Sequence, residues 1–69
     1  MNQKTRIKAS ASYAGISESK IADAIGKSQA NFSQTAARGS FKDSDMVEIA
    51  KALGAKYCVY FEFPDGTRI

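Results

Sequence analysis

Between Ser28 and Thr35 the chain places Ser28, Gln29, Asn31, Ser33, Gln34 and Thr35 with one alanine and one phenylalanine, and no acidic residue. Short amides and hydroxyls are the side chains that hydrogen-bond base edges or hold phosphate oxygens. A helix of this length that merely faced solvent would ordinarily carry Glu or Asp. The competing reading is a polar, solvent-facing helix in some other small bundle. Other chemistries find little support. Histidine is absent, which removes His-based acid–base catalysis and His-ligated zinc. Cys58 is a lone thiol in an apolar run, with Lys56 as its nearest cation in sequence, and reads as packing. No glycine-rich phosphate loop is present. Asp43, Asp45 and Glu48 lack the glycine and ligand spacing of a calcium loop and read as an acidic helix start. No catalytic residue, metal, cofactor or small-molecule ligand is expected, and the chain does not read as an enzyme.

Charge is distributed unevenly. Residues 1–42 carry Lys4, Arg6, Lys8, Lys20, Lys27, Arg38 and Lys42 against Glu18 and Asp23, a balance of +5. Residues 43–69 carry Lys51, Lys56 and Arg68 against Asp43, Asp45, Glu48, Glu62 and Asp65, a balance of −2. A basic first half beside an acidic remainder suits a polyanionic partner. The 69 residues, 43% hydrophobic and 25% charged, predict one soluble domain with a small core. No apolar run reaches the roughly 20 residues of a membrane span. Met1-Asn2-Gln3-Lys4 lacks a signal-peptide core, and one cysteine gives no disulfide framework, so a cytoplasmic setting is expected.

Four helices are needed to position the polar run. The first spans about 3–14, with Ile7, Ala11 and Ala14 at helical spacing and Gly15 as its stop. The second spans about 17–25, with Ser17 as N-cap and Ile21, Ala22 and Ile25 as its apolar stripe. Gly26 ends it, and Ser28 caps a third helix over about 28–38, with Phe32 buried and Gly39 as stop. Phe41 is expected to fold back onto the core. The fourth, about 43–53, sets Met46, Ile49, Ala50 and Leu53 at i, i+3, i+4 and i+7. From Tyr57 the pattern becomes period two, with Tyr57, Val59, Phe61 and Phe63 facing one way and Cys58, Tyr60 and Glu62 the other. Pro64-Asp65-Gly66 predicts a turn, giving a hairpin over about 57–69. The fold class is mainly α with a C-terminal β-hairpin.

The run from Ser17 through Ile21-Ala22-Asp23-Ala24-Ile25-Gly26 to Ser28 and Asn31-Phe32-Ser33-Gln34 resembles the helix-turn-helix of Cro and phage-repressor-like regulators, the XRE type. Arg38-Gly39-Ser40-Phe41 and Ile49-Ala50-Lys51-Ala52-Leu53-Gly54 continue the likeness, and Phe63-Pro64-Asp65-Gly66 is similar to a small bacterial subgroup with a C-terminal hairpin. The resemblance, over roughly residues 3–69, implies a lambda-repressor-like bundle and sequence-specific binding of double-stranded DNA. It implies base contacts from Gln29, Ala30, Asn31 and Gln34, and a phosphate contact from Ser28, with Arg38 and Lys42 beside the backbone. Lys20, Lys27 and Ser33 complete the expected phosphate set. Two positions depart from the family: Glu18 stands where glutamine is frequent, and Ala36 where a larger apolar residue is frequent.

The combined reading is a small transcriptional regulator that occupies an operator. A return strand from Thr67 reaches only to about Phe61, so Tyr57, Cys58, Val59, Tyr60 and Phe61 are expected to form a homodimer interface; the competing reading is a monomer in which helix one or the N-terminus covers that edge. The alternative is a protein-interaction module on a helix-turn-helix scaffold, using the aromatic C-terminal segment.

Overall fold

The computed structural model describes residues 2–69. It is mainly helical: α1 (Gln3–Ala14), α2 (Glu18–Ala24), α3 (Gln29–Arg38) and α4 (Asp43–Ala52). Each boundary has a local cause. Asn2, Ser17 and Ser28 are extended N-caps whose side-chain oxygens accept the backbone N–H three residues on, at 2.8, 3.2 and 3.2 Å. Lys42 offers no such acceptor, and there Asp45 reaches back to take the Lys42 N–H at 3.1 Å. All four helices end alike, in a pair of crossed backbone bonds around a left-handed glycine. At the α2–α3 turn Gly26 (φ 73°) donates to the Asp23 carbonyl and Lys27 to that of Ala22. The expected bounds 17–25 and 28–38 therefore included capping residues that lie just outside α2 and α3.

The core is small and entirely apolar. Ile7 and Ala11 from α1, Ile21 and Ala22 from α2, Phe32 and Ala36 from α3, Met46, Ile49 and Ala50 from α4, and Phe41 are buried. Helix α3 packs on α1 and α2, and α2 on α4. Phe41 folds back so that its ring centroid lies 5.3 Å from that of Phe32. Truncating Phe32 alone would remove about 3–5 kcal/mol, which is the whole stability expected of a domain this size. The α3–α4 loop is fixed by an amide clamp. Gln3 Nε2 donates to the Phe41 carbonyl and the Phe41 N–H donates to Gln3 Oε1, both at 3.0 Å.

Three expectations need correction. Ala14 is exposed rather than part of the core stripe, which in α1 consists of Ile7 and Ala11. The fourth helix ends at Ala52, with half-buried Leu53 as its cap. The hairpin over 57–69 is not formed as a pair of strands. A single antiparallel bridge joins Glu62 to Arg68, flanked by backbone bonds between Phe61 and Ile69 and between Phe63 and Thr67. Residues 55–61 have no regular structure, and among the described residues the backbone of 56–60 makes no hydrogen bond. Only Tyr57 packs against the core. Val59, Phe61 and Phe63 are 65%, 77% and 47% exposed, so the expected apolar stripe is not buried. The helices have already closed their core, and the segment projects past it. A compact chain of this length would have a radius of gyration of about 11 Å. This one reaches 13.0 Å, with extents of 43 × 24 × 19 Å.

Candidate nucleic-acid interface

Helix α3 is anchored on one side and free on the other. Phe32 and Ala36 are buried and Thr35 is half-buried, while Gln29, Ala30, Asn31, Ser33, Gln34, Ala37 and Arg38 are exposed. At roughly 100° per residue, the line opposite Phe32 and Ala36 runs through Ala30, Gln34 and Ala37. Gln34 thus stands between two methyl groups, which lets the helix backbone approach a surface closely. Gln29 and Ser33 lie to one side of that line, nearer the α2–α3 turn. Ala37 was absent from the expected contact set, although its position one turn beyond Ser33 and Gln34 could have suggested it.

Two exposed polar groups are already oriented within the helix. The Thr35 hydroxyl donates to the Asn31 carbonyl at 2.8 Å and lies 3.2 Å from Asn31 Oδ1. The single hydroxyl proton serves the carbonyl, and the Asn31 amide offers both a donor and an acceptor at the helix surface. Arg38 Nε donates to the Gln34 carbonyl at 3.4 Å, laying its guanidinium along the last turn, where a cation suits the helix dipole. Ser28 is exposed, and its Oγ satisfies the Asn31 N–H, so the N-terminus of α3 is capped with its outer face open.

The cations expected around this face are all surface groups. Lys20, Arg38 and Lys42 are exposed and Lys27 is half-buried. None of the four joins an ion pair among the described residues; the pairs formed are Lys51–Glu48 and Arg68–Glu62. The acidic residues of α2 lie apart from α3 in sequence, with Glu18 half-buried at the start of α2 and Asp23 exposed near its end. Among the described residues there is no group of three or more His, Cys, Asp or Glu placed to hold a metal ion. Nor, among those residues, is any helix long and apolar enough to cross a membrane.

The C-terminal residues expected at a dimer interface are brought together only in part. Tyr57 is half-buried under the Arg6 guanidinium, 5.9 Å from its ring centroid. Cys58, Val59, Tyr60 and Phe61 are exposed on the projecting segment, and Arg68 lies 4.8 Å over the Tyr60 ring. Searched against known proteins, the chain matches no family model, no characterised relative and no solved structure.

Proposed function

We propose that the chain is a sequence-specific DNA-binding regulator of the Cro and phage-repressor-like type, with α3 entering the major groove. The observation that carries this reading is the outward face of α3, which presents amides, hydroxyls and alanine methyls with no carboxylate, in a chain whose Lys20, Lys27, Arg38 and Lys42 join no ion pair among the described residues. The major groove admits one α-helix, glutamine and asparagine can bond base edges there, and alanine can meet a thymine methyl. Gln29, Ala30, Asn31 and Gln34 are assigned to bases, and Lys20, Lys27, Ser28, Ser33, Arg38 and Lys42 to phosphates. The protein acts as a homodimer through Tyr57, Cys58, Val59, Tyr60 and Phe61, whose two-fold axis would set two copies of α3 about 34 Å apart.

The test is a titration of duplex DNA against salt, followed by selection of preferred sequences. Each phosphate contact should contribute about −0.9 to the slope of log K against log salt. Gln34→Ala should cost about 1–3 kcal/mol at the selected site and little on random duplex. Arg38→Ala should weaken all sequences alike. Binding indifferent to salt would refute the reading. The exposed aromatics of the C-terminal segment favour a second one, a protein-interaction module that keeps the scaffold without the DNA affinity.

A further inference from the structure

The major-groove edges of the four bases ask for different partners, and the outward line of α3 supplies only some of them. Guanine presents two acceptors and is met by Arg or Lys; cytosine presents one donor and is met by Asp or Glu. Adenine presents an acceptor beside a donor, which fits a side-chain amide. Thymine adds a methyl group, which fits an apolar contact. Along Ala30, Gln34 and Ala37 stand one amide and two methyls, with neither cation nor carboxylate.

The geometry around that line keeps the same chemistry. The Gln34 side chain makes no hydrogen bond among the described residues, so both ends of its amide are free, whereas its backbone carbonyl is taken by Arg38. Arg38 is the one cation in the sequence of α3; it stands at the last helical residue, its Nε turned to that carbonyl. Asn31 flanks the line on one side and Gln29 and Ser33 on the other, adding amides and a hydroxyl but no ionised group. Spacing also fits. Ala30 to Ala37 is seven residues, about 10 Å of helix axis and so about three base-pair steps, with Gln34 between them.

We infer that α3 reads A·T pairs. Gln34 donates to N7 of an adenine and accepts from its N6, while the Ala30 and Ala37 methyls meet the C5 methyls of thymines on either side. A guanine facing Gln34 would set an acceptor against the amide oxygen, and a cytosine in place of thymine would leave Ala30 or Ala37 without its methyl contact. The preferred half-site therefore carries A·T where these three residues lie, with any G·C confined to pairs outside the line. This rests on the DNA-binding reading given above and adds the class of base; it does not depend on whether two copies associate.

The test uses the full chain and alters the DNA before the protein. Duplexes selected from a random pool are rebuilt with deoxyuridine for single thymines, which deletes only the C5 methyl, and with 7-deazaadenine for single adenines, which deletes only the N7 acceptor. Uracil at a contacted thymine should weaken binding about fourfold, the loss of one buried methyl-sized group, and uracil elsewhere should not. The adenine analogue at one position should weaken wild type by at least about fivefold and leave Gln34→Ala unmoved. Ala30→Gly should likewise abolish the uracil penalty at its own thymine; circular dichroism checks that it folds, and the analogue results on wild type stand without it. G·C at the position whose preference Gln34→Ala loses would overturn the inference while leaving duplex binding standing. An A·T core indifferent to every uracil and every 7-deazaadenine would do the same, since the bases would then be read by shape. Absence of duplex binding at low salt would overturn the DNA-binding reading itself, and the class of base with it.

Discussion

Replacing Gln3 with alanine should destabilise the domain far more than its place at a helix start suggests. Its amide makes two bonds of 3.0 Å to the backbone of Phe41, which is only 6% exposed. A neutral hydrogen bond contributes a net of about 0.5–1.5 kcal/mol, and a buried backbone group left unpaired costs about 1–3. Gln3 is itself half-buried, so water would reach the vacated groups in part. The sum is therefore about 2 kcal/mol. In a domain of 60–100 residues each kcal/mol moves Tm by about 4–8 °C, which predicts a loss of roughly 8–16 °C. Gln3→Glu keeps the acceptor for the Phe41 N–H and loses the donor to its carbonyl, so it should fall between. Lys4→Ala, on the exposed side of the same turn, should stay within about 0.5 kcal/mol of wild type. Thermal melts followed at 222 nm would decide. Equal melting temperatures for Gln3→Ala and Lys4→Ala would show that the clamp does not hold the α3–α4 loop.

Two further outcomes follow from the turns. A Cβ at Gly26 would meet nothing within 4 Å, so Gly26→Ala should cost only the left-handed backbone, about 1–2 kcal/mol, and Gly26→Asn less; equal costs in urea melts would contradict this. The Asp65 carboxylate accepts the Thr67 N–H at 2.9 Å, and that bond holds its pKa below the usual aspartate value. Because the folded pKa is the lower one, the turn is stabilised above the ordinary aspartate range and loses that contribution as pH falls through the folded value. NMR titration should place the Asp65 midpoint below that of an unstructured peptide, and Asp65→Asn should abolish the pH dependence of the Thr67 amide shift.

Helix limits were legible because they are written locally. Ser17, Ser28, Gly15, Gly26 and Gly39 each act within three or four residues of themselves, so their positions foretell the caps observed. The same holds for the division of α3 into a buried Phe32 and an exposed polar face. Gln3 gave no such signal, since its partner lies 38 residues away and an amide at a helix start looks like any solvated side chain. The C-terminal segment failed for a related reason. Alternation from Tyr57 to Phe63 signals an extended backbone with an apolar face, but it does not say what pairs with that backbone or covers that face. Among the described residues, the segment's backbone pairs only at Phe61 with Ile69 and at Phe63 with Thr67, across the turn. Pattern also misplaced Ala14, whose spacing fits the stripe of α1 although it is exposed.

These facts meet in the economy of a 69-residue core. Among the described residues every buried side chain is apolar, and ten fill the core, so few are left over to be both core and site. Among the described residues the side chains of Gln29, Ala30 and Gln34 make no hydrogen bond or ion pair and are exposed, so their replacement should leave stability nearly unchanged. Binding and folding are then separable by mutation: a change at Gln34 that altered the melt would place Gln34 in the scaffold, whatever it did to DNA affinity.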